Sequence, residues 1–108
     1  MQSPETFFGF DIRTGTIMHA EIFPEAHKPA YKLTIDFGEA GIKKSSAQIT
    51  EKYSPDTLKG KQIVAVINFP RKQIGKFISE CLVLGVYTES GVVLLQPDQS
   101  VINGSKIG

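Results

Sequence analysis

The sequence predicts an all-β fold: a single small antiparallel barrel of five strands, with a short helix between the third and fourth strands and an extension at either end. Three observations carry that expectation. Apolar residues alternate with polar ones or form short runs bounded by Gly, Pro, Asn and Ser, the pattern of short strands. One helical passage, residues 50–58, follows three such strands and precedes a fourth. The 108 residues, 41% apolar and 21% charged, contain no repeat, linker or low-complexity stretch, which fits one folded domain over residues 1–108.

Residues 1–10 begin polar and end in Phe7, Phe8 and Phe10. Three aromatics in four positions need a cover, either the end of the barrel or a neighbouring subunit. Residues 11–23 read as one long strand with Met18, Ala20 and Ile22 on its apolar face, bent at Gly15. A glycine within a strand marks a bulge or bend, and a long bent first strand is what a small barrel needs to close. Pro24 and Pro29 bound a loop. Tyr31, Leu33, Ile35 and Phe37 then alternate with Lys32, Thr34 and Asp36, as in a half-buried strand. After a turn at residues 38–41, residues 42–49 form a polar third strand whose Lys43, Lys44, Ser45, Ser46 and Gln48 suit a binding surface. Ser54-Pro55 is a cap followed by a helix-starting proline, and Gly60 is the stop. A buried fourth strand at 62–68 and a fifth at 80–86 enclose a loop, residues 68–79. A hairpin at 88–95 and an Asn103-Gly104 turn complete the chain. A helix between strands three and four of five is the arrangement of the OB-fold, whose open face and loops bind oligonucleotides and other ligands.

The loop at 68–79 concentrates the chemistry. Net charge is only +1, yet five of the 12 cations (Lys59, Lys61, Arg71, Lys72 and Lys76) fall between residues 59 and 79, a stretch without Asp or Glu. Such a segment can steer an anionic partner to one face, or it can simply be solvated. Arg71 offers phosphate a bidentate fork, and Lys72 and Lys76 add point charges. Asn68 and Ser79 stand at the strand–loop junctions, where they can reach base edges. Phe69 and Phe77 can stack on bases or pack in the barrel mouth.

Catalytic signals are thin. His19 and His27 belong to no cluster with metal-ligand spacing, and neither a glycine-rich phosphate loop nor a G-x-S-x-G elbow occurs. The expectation is a protein that is not an enzyme and needs no metal or cofactor. Cys81, the single cysteine, lies in an apolar run and reads as a buried, inert thiol. No signal peptide is visible and no apolar run approaches a membrane span, so a cytoplasmic location is expected.

Four segments resemble the tRNA-binding domain family: residues 11–17 (Asp-Ile-Arg-Thr-Gly-Thr-Ile), 49–55 (Ile-Thr-Glu-Lys-Tyr-Ser-Pro), 60–72 (Gly-Lys-Gln-Ile-Val-Ala-Val-Ile-Asn-Phe-Pro-Arg-Lys) and 92–97 (Val-Val-Leu-Leu-Gln-Pro). Residues 43–50 and 79–85 are similar in particular to its export-related chaperone branch. The resemblance implies an OB-fold homodimer with chain ends, residues 1–10 and 98–108, at the interface, where Phe7, Phe8 and Phe10 would find a partner. It implies an RNA-binding surface of Asn68, Arg71, Lys72, Lys76 and Ser79, to which the polar third strand adds Lys43. It further implies an apolar pocket for unfolded or preprotein polypeptide and a link to the translocation ATPase. The expected function is therefore a non-catalytic homodimeric chaperone that also binds tRNA. The alternatives are a dedicated binder of tRNA or structured RNA, and a synthetase-associated cofactor without chaperone activity.

Overall fold

The computed structural model describes residues 9–108. Along the chain the strands are β1 (Ile12–Ile22), β2 (Tyr31–Asp36), β3 (Ile42–Ala47), β4 (Gln62–Val66), β5 (Lys72–Ile74), β6 (Phe77–Ser79), β7 (Leu82–Val83), β8 (Gly85–Thr88) and β9 (Gly91–Leu94). A helical turn, α1 (Pro55–Leu58), separates β3 from β4. Five strands form an antiparallel sheet in the order β3-β2-β1-β4-β7. The sheet curls until its two ends meet beside β3. There the Glu80 amide donates to the Lys44 carbonyl (2.7 Å) and the Ser45 hydroxyl to the Cys81 carbonyl (3.0 Å). The result is a nearly closed five-stranded barrel with the helix between its third and fourth strands, as the sequence predicts.

β1 is the hub. Its first half, from Ile12 to Thr16, pairs with β4, and its second half, from Thr16 to Ile22, pairs with β2. The irregularity sits at Met18, not at Gly15: Ile17 faces Ile35, His19 faces Thr34, and Met18 is the extra residue between them. A bulge reverses the inside–outside phase of a strand. Ile17 and Ala20 therefore point into the core while Met18 and Ile22 are exposed, which corrects the expected face of Met18, Ala20 and Ile22. Gly15 is needed for space. A Cβ there would lie 2.7 Å from the Phe37 ring and 2.8 Å from Ile35.

Ile17, Leu33, Ile35, Phe37, Leu58, Ile63 and Ala65 are fully buried and fill the barrel. Leu58 reaches it because α1 is tightly capped, with the Ser54 hydroxyl accepting from the Thr57 amide and the Thr57 hydroxyl accepting from the Ser54 amide. The helix is shorter than the expected residues 50–58.

On the outer side of β1 and β4, Ile12, Val64 and Val66 form a second apolar layer, packed against Leu84 and Ile107. The C-terminal segment covers it as an additional edge along β1. The Thr14 amide donates to the Ser105 carbonyl (3.0 Å), the Gly104 amide to the Thr14 carbonyl (2.8 Å) and the Ile107 amide to the Ile12 carbonyl (2.8 Å). Arg13 reinforces the seam: Nε donates to Asp11 (2.6 Å) and Nη1 to the Gly104 carbonyl (3.0 Å). Arg13→Ala is expected to cost about 1–2 kcal/mol, since a charged donor is lost from a part-buried seam. Hydrogen exchange should then show faster exchange at residues 104–107 before any other part of the barrel.

The stretch at 68–79, expected as a loop, contains a two-stranded ribbon, with Lys72 opposite Ser79, Gln73 opposite Ile78 and Ile74 opposite Phe77. Gly75, at φ 61°, takes the first turn position, which needs a left-handed residue. The expected fifth strand at 80–86 divides. β7 pairs with β4, and the chain then leaves the barrel sheet to form the β8–β9 hairpin, whose Leu94 still packs in the core.

Candidate nucleic-acid interface

Strand alternation decides which side chains reach the outer surface of the β1-β2-β3 sheet. Leu33 and Ile35 point inward, so Lys32 and Thr34 point outward. The register sets Lys44 opposite Thr34 and Ser46 opposite Lys32, which continues the outer row onto β3. Lys43 falls on the other side of the strand, with the buried Ser45, and is itself half-buried. Lys44, not Lys43, therefore stands on this outer row.

The β5–β6 ribbon packs beside β3. The Ser46 amide donates to the Ser79 hydroxyl (3.1 Å). One Glu80 carboxylate oxygen accepts from the Lys44 amide (3.0 Å), and the other lies 3.6 Å from Arg71 Nη2. Glu80 thus brings Arg71 next to Lys44, and Arg71 has an acidic neighbour that the stretch from 59 to 79 does not contain. The pair is loose, and the Arg71 side chain keeps 70% of its exposure. Exposed ion pairs of this kind are worth little, so the guanidinium can exchange its carboxylate for a phosphate. Lys72 and Lys76 are exposed and form no ion pair with a described residue.

The remaining expected site residues are placed differently. Asn68 is a clamp: its side-chain oxygen accepts from the Asp11 amide (2.8 Å) and its nitrogen donates to the Gly9 carbonyl (2.8 Å). Ser79 accepts from Ser46 and donates to the Cys81 carbonyl (3.4 Å). Both side chains are therefore held in place by contacts within the fold. Phe77 packs edge-on against Phe23, with ring centres 5.2 Å apart and planes at 63°. Lys32 Nζ lies 5.4 Å from the Phe23 ring centre and 6.0 Å from that of Phe77. Phe69 and Phe10 are each 43% exposed, while Phe7 and Phe8 lie outside the described residues. Sequence reasoning placed Lys44 on the polar third strand as a binding residue but missed Lys32 and Glu80 as parts of this face. The strand alternation around Leu33 and Ile35 was the available signal for Lys32.

Lys32 is also held by Glu21, 3.1 Å away, and Glu21 takes a further contact from His19 at 3.2 Å. The hydrogen bond from Lys32, then that from His19, holds the Glu21 carboxyl below its usual range. The face is thus basic with two carboxylates, Glu21 and Glu80, set into it.

A family model described as a putative tRNA binding domain matches residues 12–106. The chain belongs to that family. Among solved structures, the chaperone CsaA from Bacillus anthracis superposes with a TM-score of 0.93 at 55% identity, over 100% of this chain and 99% of the other. The CsaA chaperone protein from Picrophilus torridus gives a TM-score of 0.95 at 53% identity over the whole of both chains. Among curated relatives, methionine–tRNA ligase of Methanococcoides burtonii is 33% identical over 104 residues. That match takes 95% of this chain and 15% of the ligase, so the chain spans about one-seventh of the length of such relatives.

For this tRNA-binding domain, the segments that carry the resemblance have visible duties. Asp11 and Arg13 fasten the C-terminal segment, Gly15 admits Phe37, and Asn68 ties β4 to the segment ahead of β1. A concavity opens at the end of β3, where the chain runs from Ser46 to Ile49 beside β7 and the β8–β9 hairpin. It is an open groove of about 560 Å³ lined by Ala47, Ile49, Val83, Tyr87, Val92 and Leu94, with Lys28 and Glu51 also in its wall. Among the described residues no group of His, Cys, Asp and Glu is arranged to hold a metal, and no helix is long and apolar enough to cross a membrane.

Cys81, 5% exposed, lies below this region, with Sγ 3.8 Å from the Lys44 carbonyl. Burial pushes its thiol from 9.0 up to about 11, and the nearby Glu80 charge adds to the rise. The folded chain therefore favours the neutral thiol. That contribution to stability is complete below pH 9 and is lost as pH rises through about 11. At pH 8, alkylation by iodoacetamide should run about a hundredfold slower in the folded protein than in urea, because only the thiolate reacts. Equal rates would show that the thiol is not shielded.

Proposed function

We propose that this domain is a non-catalytic binding protein that takes tRNA, or another structured RNA, on the face formed by Arg71, Lys72, Lys76, Lys44 and Lys32. The observation that carries the reading is the basic β5–β6 ribbon docked beside β3, with Lys72 and Lys76 unpaired among the described residues and Arg71 held only loosely. Phosphates supply the affinity. With three to five phosphate contacts, the logarithm of the tRNA association constant should fall against the logarithm of salt with a slope of about −2 to −4. A gel shift or filter-binding series with bulk tRNA across salt concentrations tests this, and affinity independent of salt rejects it.

A second activity fits the same fold. The groove beside β3 is apolar along much of its wall and open at the surface, which suits an extended polypeptide. The Bacillus anthracis and Picrophilus torridus neighbours are both described as chaperones. On this reading the domain holds unfolded or preprotein segments in the groove and works in the cytoplasm as a homodimer, with the translocation ATPase as a further partner. Exposed apolar side chains outside the groove offer a dimer surface: Ile102 keeps 85% of its area and Val86 50%. Client binding should survive high salt and suppress aggregation of an unfolded enzyme, while light scattering of the free protein reports the dimer. The alternatives are an RNA binder, or a synthetase-associated cofactor, without client capture.

A further inference from the structure

The β5–β6 ribbon is a two-stranded sheet separate from the barrel sheet. Such a ribbon does not hold its own orientation in water. Two of its attachments, Ser79 to Ser46 and the Glu80 carboxylate between Lys44 and Arg71, lie at its base. Neither fixes the angle of the tip, where Gly75 and Lys76 turn the chain. Phe77 is the residue that follows the turn, paired with Ile74, and it packs against Phe23. Phe23 is a firm support. It is 4% exposed, its amide donates to the Ala30 carbonyl (3.1 Å), and its carbonyl accepts from Ala26. Lys32 spans both rings with its ammonium, and Glu21 holds that ammonium in place.

We propose that Phe23 and Phe77, bridged by Lys32, fix the tip of the β5–β6 ribbon in the orientation in which its cations meet RNA, so that both are positioning residues for the interface. The inference rests on the RNA reading above and adds to it that affinity depends on two buried-side aromatics which carry no charge. The ring pair acts at the tip and the serine and glutamate contacts act at the base. Losing the rings therefore frees the tip while β3, β6 and the barrel stay together.

The test compares wild-type protein with Phe77→Ala and Phe77→Tyr. Limited digestion with trypsin reads the tip through cleavage after Lys76, and a gel shift with bulk tRNA reads function. For Phe77→Ala, cleavage should quicken about fivefold to tenfold and tRNA affinity should fall by a similar factor, as expected for a lost aromatic pair with its cation. Phe77→Tyr keeps the ring and should restore both. Unchanged cleavage in Phe77→Ala overturns the proposal, and so does faster cleavage with unchanged tRNA affinity. Wild-type protein that binds no tRNA sinks the RNA reading and this role with it; unchanged cleavage beside intact wild-type binding sinks this role alone. Should Phe77→Ala lose its fold by circular dichroism, Phe77→Leu, which keeps the apolar volume without the ring, carries the same comparison.

Discussion

Reversing Arg71 and Lys72 to glutamate should lower tRNA affinity about a hundredfold at 0.1 M salt and flatten the salt dependence by about two units of slope, one for each phosphate contact removed. Both side chains sit on the ribbon beside β3 and both are exposed. The new carboxylates would join Glu80, so the same surface would repel phosphate. The fold should be nearly untouched: the Arg71–Glu80 pair is 3.6 Å long and exposed on the arginine side, worth less than about 1 kcal/mol. Client binding in the groove should persist, because neither Arg71 nor Lys72 lines it. Isothermal titration with tRNA, beside an aggregation-suppression assay, separates the two activities in one variant. Full RNA affinity in the double variant would remove the ribbon from the interface.

Gly15→Val should destabilise the domain by about 3 kcal/mol, at the upper end of overpacking effects, and lower the thermal midpoint by roughly 10 °C or more. The first added carbon already meets the Phe37 ring at 2.7 Å and Ile35 at 2.8 Å. Both neighbours are fully buried and packed on all sides, so neither can yield cheaply. Backbone conformation is not the cause, because Gly15 is absent from the residues with positive φ. Gly15→Ala should therefore lose less than the valine variant in proportion to size, and Phe37→Leu should relieve part of the clash in a double variant. Urea denaturation of wild type, Gly15→Val, Phe37→Leu and their double variant measures the coupling, with Gly15→Ala beside them. An alanine variant as stable as wild type would show that the ring can move.

Where local pattern and tertiary position agree, the sequence was readable. The alternation from Tyr31 to Phe37 names the inner face of β2 correctly at every residue. Ser54-Pro55 marks the start of α1. The strand–helix–strand order gives the barrel. Two features resisted because a partner strand decides them. The bulge at Met18 lies within the half of β1 that pairs with β2, just past the change of neighbours at Thr16, and no residue in β1 announces it. A shift of one residue also decides between Lys43 and Lys44, since strand side chains alternate faces. The site was legible as charge but not as geometry. Arg71, Lys72 and Lys76 stand out in the sequence, but the Asn68 clamp reaches back 57 to 59 positions and the Ser79 contact 33. Groups that look free in the sequence are held by contacts across the fold.

The fastening of the C-terminal segment along β1 has a kinetic consequence. Arg13 and Gly104 are 91 positions apart, and Thr14 meets Ile102 across 88. Folds ruled by contacts this distant in sequence close slowly, in milliseconds to seconds, because chain entropy is lost before the contact forms. The β1–β2–β3 meander consists of neighbours in the chain and can assemble first. Sealing of Ile12, Val64 and Val66 must wait for residues 101–107, so refolding should pass through a stage with an intact meander and an uncovered apolar flank. In that interval the domain is itself an unfinished chain with a sticky side, open to aggregation until its own end arrives.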